Sequence, residues 1–482
     1  MIFLDWLVVG FSILALLTVA YWKGRNQQDT RDFFLARRQI PIWAACLSFV
    51  ATEISALTIV GVPAAAFREN WQYLQFFIGS AMARIAIAYF FIPVFYQYQC
   101  TTIYEFLRHR FGPLTQYTAS VFFFITRLLA SGVRLYAASL AVAVIMGWNL
   151  NQAILLFSVI SILYIGFGGI KAVIWTNVFQ AFSFILAGVA ALLFLYHLIP
   201  GGIAGIWKTA GEGGRLSLFS LCWNFSNPNL LWAAVINGFL TSMAAFGTDH
   251  EMMQRLLTVE TRRDSQKTLI STIGAVLLLV LTYLSIGTLL YVFYQKNPWQ
   301  SLPDNTDKIF SHFIIHVMPN GLKGLMLAAI LMASIDSPLG SLTASFVTDI
   351  YRNLIKKSGE ERHYLLVSRI CVIVFGGILA LLAYVSSHFE GMLWLAFKIH
   401  GVTAGSLLGV FLLGIFTRRT ANRANLIAMV TSALSMATLL VLSEMKVLPI
   451  GWSWLILFGT CLTFGLGYIL GPALEKGNLD SI

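Results

Sequence analysis

Apolar runs long enough to cross a lipid bilayer, about 20 residues each, recur from one end of this chain to the other. The polar gaps between them are too short to hold a folded soluble domain. Spans are expected near 4–22, 42–66, 74–99, 118–147, 151–168, 172–198, 230–248, 269–294, 320–348, 364–386, 391–416, 424–442 and 451–473, roughly thirteen in all. The chain is 58% hydrophobic and 11% charged, against about 25% charged in a soluble domain. So few charges cannot cover a globular surface, and the natural solvent is lipid.

A formal net charge of +11 would suit a nucleic-acid binder if the cations formed one patch. They lie in alternate loops instead. The first, third, seventh, ninth and eleventh loops carry Lys23 to Arg38, Arg108 and Arg110, Arg255 to Lys267, Arg352 to Arg362, and Arg418, Arg419 and Arg423. The intervening loops hold single cations such as Arg68, Lys208 and Lys446. By the positive-inside rule the odd loops are cytoplasmic, with the N-terminus outside and the C-terminus inside. Asp5 interrupts the apolar start and no small-residue cleavage site follows, so the first run is expected to be a retained helix. The five cysteines are scattered, with neither metal-ligand nor disulfide spacing.

Two spans carry the marks of a broken helix. The second holds Ala51-Thr52-Glu53-Ile54-Ser55 and then Gly61 and Pro63. The seventh follows Pro228, contains Gly238 and Gly247, and runs into Thr248-Asp249-His250. Interrupted helices in matching positions of two halves point to an inverted-repeat transporter with its site between them.

Charges at membrane depth cost about 2.5–3.5 kcal/mol each on insertion scales. Glu53 falls in the second span, Asp336 in the ninth, Arg84 in the third, Arg127 and Arg134 in the fourth, and Lys398 in the eleventh. Intramembrane acids are functional by default. Arg84, Arg127 and Lys398 suit snorkelling or structural pairing better. Glu53 lies beside the expected break, where freed carbonyls suit a hard cation. Ser334, Ser337, Ser341 and Ser345 fall on one helical face next to Asp336. Such a stripe serves as a close helix seam or as part of an ion site, and Pro338 loosens the backbone there.

No G-x-x-x-x-G-K-[ST] loop and no H-E-x-x-H is present. Gly166-Phe167-Gly168-Gly169 lies at a short inner loop and suits a tight turn or close packing. The sequence offers no enzyme signature.

Several stretches together resemble the sodium:solute symporter family, over nearly the whole chain. They are Asp32 to Arg38, Gly61-Val62-Pro63, Gly168 to Asn177, Gly247-Thr248-Asp249 through Gln254-Arg255, Asp349-Ile350-Tyr351, and Gly409 to Phe416. The resemblance implies an all-α membrane protein with a LeuT-like five-plus-five inverted-repeat core and flanking helices. It would form a single transporter domain over 1–482: an extra N-terminal helix at 4–22, repeats at 42–198 and 230–416, and extra C-terminal helices at 424–473. It implies a multi-pass protein of the cell (inner) membrane that couples sodium to uptake of a small organic solute. That solute would be a sugar, a sugar acid or another organic anion. Sodium is the coupling ion and no cofactor is expected; no nucleic-acid or obligatory protein partner is evident.

In that family the second span is core helix 1 and the ninth is core helix 8. The resemblance puts sodium on the carbonyls of Ala51 and Ile54 and, from core helix 8, on Ile330 and Ser334. Ala333 stands where a second hydroxyl is expected, and Glu53 matches an acidic position of the proline-transporter branch. A second sodium site would involve Asp336 and Ser337, with Asn177 where some members carry Asp. The solute would lie between core helices 1, 2, 3, 6, 7 and 10, near Ser55, Thr58, Asp249, Arg134 and Phe397. Phe397 stands where the sugar branch has Gln, and Ala130 where the sialic acid branch has its carboxylate-binding Arg. Arg134 lies one turn beyond Ala130. The alternatives are proton coupling through Glu53 or Asp336, and a solute-sensing receptor. A receptor would need an output domain, and the chain ends about ten residues past its last span.

Overall fold

The apolar runs form helices, and their polar interruptions decide where those helices bend. The computed structural model describes residues 2–24, 30–162, 170–221, 230–298, 301–303, 305–335, 338–358, 360–389 and 392–475. The helices that build the body are α1 (Phe3–Gly24), α2 (Ile42–Glu53), α3 (Ala56–Arg68), α4 (Tyr73–Phe90), α5 (Pro113–Met146), α6 (Leu150–Leu198), α7 (Leu231–Gly247), α8 (His250–Leu256) and α9 (Arg262–Lys296). They continue as α10 (Leu322–Ile335), α11 (Leu339–Ser345), α12 (Glu361–Ser386), α13 (Met392–Phe416), α14 (Asn422–Glu444) and α15 (Leu455–Glu475).

Among the described residues, nine helices are long and apolar enough to cross a membrane, or eleven if each of two bent pairs is one span. Two shorter apolar helices, Leu150–Ile162 and Leu322–Ala333, remain. The expected count of thirteen is therefore not reached on length and composition alone. The turn or close packing expected at Gly166–Gly169 falls on residues 163–169, outside the described residues; the helix is described on either side, as Leu150–Ile162 and Ile170–Leu198.

Local signals set the helix ends. Asn149 and Gln152 form a reciprocal capping box at the start of α6. Pro113 opens α5, and Gly147 closes it with φ +65°, a left-handed cap that glycine adopts without strain. Asp5 is fully buried. Its Oδ1 accepts the backbone N–H groups of Gly321 at 2.7 Å and Gly324 at 3.0 Å. It thereby satisfies donors that the first turn of α10 leaves unpaired.

Small residues let α4 and α7 meet backbone to backbone. A Cβ on Gly79 would collide with the carbonyl of Val235, and one on Gly238 with the carbonyl of Phe76. This seam fixes one wall of the central cavity. Beyond the ninth span, a π-helical segment, Phe346–Ile355, carries the fully buried Asp349. Its carboxylate accepts from Thr102 Oγ1 at 2.6 Å, Ser345 Oγ at 2.7 Å, Gln116 Nε2 at 2.9 Å and Ser120 Oγ at 3.2 Å. Burial pushes its pKa up to about 7.

Candidate functional site

Both expected breaks are present. The axes of α2 and the following helix differ by 55°, and those of α7 and α8 by 68°. At the first break Ile54 is extended, with φ −81° and ψ 100°, and its N–H still bonds the Val50 carbonyl at 2.9 Å. A helix that stops at Glu53 leaves the other carbonyls of its last turn without intrahelical partners. Ala51 is one of them. The carbonyl of Thr52 accepts from Arg134 Nη1 at 3.4 Å. Ser55 sits at the N-cap of α3, but its hydroxyl makes no cap bond.

At the second break Asp249 caps α8: its Oδ1 accepts the Glu251 N–H at 2.9 Å, and its Oδ2 lies 3.3 Å from Arg127 Nη1. Arg127 also pairs with Glu251 through Nη2. Arg255 Nη2 lies 3.6 Å from Glu251 Oε1. The bend is thus held by a buried four-residue charge cluster that reaches across from α5. The sequence singles out Asp249 and Arg127, and Arg255 as a loop cation that closes a family-like stretch; Glu251 carries no separate signal there.

Glu53 has a partner that spacing does not reveal. Its Oε1 lies 2.5 Å from Arg84 Nη2, and Arg84 Nη1 donates to Thr272 at 2.5 Å. The guanidinium stacks over Phe246, 4.7 Å from the ring centre. Glu53 Oε2 is buried and has no hydrogen-bond partner among the described residues. Lys398 pairs with Glu444 at 2.8 Å.

A cavity of about 220 Å³ lies between the two breaks. It brings together all five residues expected around the solute: Ser55, Thr58, Asp249, Arg134 and Phe397. Glu53, Arg127, Thr241 and His400 share its lining. Phe397 stacks between Phe76 and Trp452, with ring centres 6.2 and 5.7 Å away. His400 is one turn beyond Phe397 and gives no motif by which sequence would single it out.

A second cavity of about 30 Å³ adjoins the first break. Ser55 and Arg134 line both cavities, while Ser131, Ser158, Ala333 and Pro338 line only the small one. Room for a single water needs about 10–15 Å³, so this space has the scale of one ion or water. Ile330 is fully buried on α10, and Ala333 nearly so. Asp336 and Ser337, and the side chain of Ser334, lie outside the described residues. Asn177 faces α2 rather than open space: its Nδ2 donates to Thr52 Oγ1 at 3.1 Å and to Ser48 Oγ at 3.2 Å. Its buried Oδ1 has no partner among the described residues.

The profile of the sodium:solute symporter family matches residues 33–432. The chain is 31% identical over 447 residues to the sodium/sialic acid symporter SiaT of Proteus mirabilis, covering 90% of this chain and 88% of that one. It is 28% identical to the human sodium-coupled monocarboxylate transporter 1, covering 86% of this chain and 69% of that one. Among solved structures, a Na⁺-coupled sialic acid symporter in a substrate-bound outward-open state superposes with a TM-score of 0.88 at 27% identity. That match covers 98% of each chain.

Proposed function

The chain belongs to the sodium:solute symporter family and carries a small organic solute into the cell with sodium by alternating access; from that premise we propose that the solute is an organic anion held in the cavity between the two helix breaks. The observation that carries this reading is the convergence of Ser55, Thr58, Asp249, Arg134 and Phe397 on that one cavity. Its volume of about 220 Å³ is below the range of about 300–1,000 Å³ common for drug-sized ligands, which suits a small solute. The relatives named above carry sialic acid and monocarboxylates, both carboxylates. Asp249 already spends both oxygens inside the protein, so it walls the site while Arg134 takes the carboxylate.

Sodium binds beside Ser55, on the carbonyls of Ala51, Ile54 and Ile330 and the hydroxyl of Ser334. Oxygen ligands of this kind suit a hard cation, and the unpartnered Glu53 Oε2 supplies nearby negative charge. A second sodium is proposed on Asp336, Ser337 and Asn177, where the buried Asn177 Oδ1 has no partner among the described residues. Support for the first site comes from the small cavity bounded by Ser55 and Ala333, neighbours in sequence of Ile54 and Ser334. Ser55 and Arg134 border both cavities, so an ion that orders the break also orders one edge of the solute site. That is the differential interaction coupling requires. The chain is a multi-pass membrane protein; its N-terminus faces outside and its C-terminus the cytoplasm, and the first and second repeats occupy 42–198 and 230–416.

Proteoliposome uptake tests the proposal with N-acetylneuraminate, lactate and glucose as probes. An inward sodium gradient is expected to drive uptake of at least one acid but not of glucose. Arg134→Gln should lower that uptake about tenfold or more, the scale of one lost charge-assisted hydrogen bond. Glucose uptake, or acid uptake equal in potassium, would contradict it.

A further inference from the structure

Between α9 and α10 the chain forms a short helix, Ile309–His316, that packs on α3 and α5. Its apolar residues Ile309, Phe310, Phe313 and Ile314 are buried. His312 and His316 lie four residues apart on the opposite face, the first half-buried and the second exposed. Their rings are neighbours, with centres 4.3 Å apart. The hydroxyl of Tyr294, near the end of α9, meets His312 Nδ1 at 3.1 Å. None of these three residues lines the solute cavity.

Two charged rings this close would repel, as like charges at i and i+4 do on any helix. Burial, and after it the neighbouring His316, push the His312 pKa below its ordinary 6.5. At neutral pH that ring is therefore uncharged, which is the form that ligates a metal. Two histidines at i and i+4 on one helical face also have the spacing that holds zinc in H-E-x-x-H helices. His312-Phe313-Ile314-Ile315-His316 keeps that spacing without the catalytic glutamate. A metal bound by one nitrogen of each ring at about 2.0–2.1 Å puts the ring centres about 5 Å apart, so a small side-chain rotation from the observed contact admits the ion. Tyr294 supplies the support that a ligating histidine needs, an oxygen on the ring nitrogen turned away from the metal. With Nδ1 so engaged, Nε2 is the nitrogen left to His312 for ligation, and Nδ1–H then donates to the Tyr294 oxygen.

We propose that His312 and His316 form a binding site for a borderline divalent cation such as zinc or nickel, distinct from the sodium site, with water completing the coordination. Imidazole nitrogen suits zinc, nickel and copper, whereas magnesium and calcium take oxygen ligands. Among the described residues no third His, Cys, Asp or Glu joins the pair, so water takes the remaining positions. The bound ion bridges the last turn of the short helix. That helix packs on α3, the segment that follows the first break.

Calorimetric titration of the full-length, untagged protein in detergent tests the site with zinc and nickel, and with magnesium and calcium as controls. Wild type should bind zinc or nickel saturably at neutral pH and neither control ion. His312→Gln and His316→Gln should each weaken that binding about tenfold or more, since losing even a ligand's hydrogen-bond partner costs about 10–100-fold in metal affinity. Acidification to about pH 5 should weaken it as well, because protons compete for the same nitrogens.

No zinc or nickel binding by wild type would overturn the proposal. Binding left unchanged in either single variant would overturn it too, and would assign the ion to cysteines or to other histidines. His316 is exposed, so His316→Gln decides the matter if His312→Gln fails to fold.

Discussion

Glu53 and Arg84 form an ion pair of 2.5 Å between the end of α2 and the middle of α4, with the arginine side chain fully buried. The acid that marks the helix break is thus half committed to the protein, and half, through Oε2, to whatever enters beside it. Removing one member of a buried pair costs about 3–5 kcal/mol, because the other charge is left uncompensated. Glu53→Gln is therefore expected to lower stability on that scale. The double variant Glu53→Gln/Arg84→Met should recover most of the loss. If Oε2 also serves the cation, the double variant will fold yet need more sodium for half-maximal stabilisation. Full recovery of both properties would make Glu53 purely structural.

Asp5 makes a more local prediction. It joins the first helix to the start of α10 by two backbone hydrogen bonds of 2.7 and 3.0 Å. Asp5→Ala removes a charged cap and should cost about 1–2 kcal/mol. Asp5→Asn keeps an acceptor and should cost less. The midpoint of detergent-titrated unfolding checks the order; equal values for both variants would mean that the contact is not a cap.

Asp349 predicts a pH dependence. Its carboxyl lies beyond the ninth span, and burial raises its pKa to about 7 from an ordinary value of 3.8. Between those values the folded protein holds the proton more tightly than the unfolded chain does. Its contribution to stability is therefore fully present below about pH 4, falls as pH rises, and is lost above about pH 7. Asp349→Asn should flatten that part of the curve. Unfolding temperatures between pH 5 and 8 measure it, and an unchanged slope in the variant would assign the dependence to other groups.

Much of this architecture was legible in the sequence for a physical reason. Lipid forces backbone hydrogen bonds inside each segment, so apolar runs become helices, and Gly, Pro and polar clusters mark the bends. The stretch Ala51–Ser55 gave away one bend and Gly247–Asp249 the other. Partners across helices were not legible. Arg84 is 31 residues from Glu53, and Arg127 is 122 from Asp249; only packing brings them together. His400 stood alone in an apolar run, and only the fold brings it to the lining of the central cavity.

The central claim is that sodium binds beside the first break and stabilises the solute-binding form. Unfolding temperature against sodium, with potassium or choline at matched ionic strength, tests it most directly. A ligand that binds only the folded state adds about 2.7 kcal/mol at a hundredfold excess over its Kd. The account predicts a saturable rise specific to sodium, weakened in Ser334→Ala. An identical rise in potassium, or no rise at all, would contradict it.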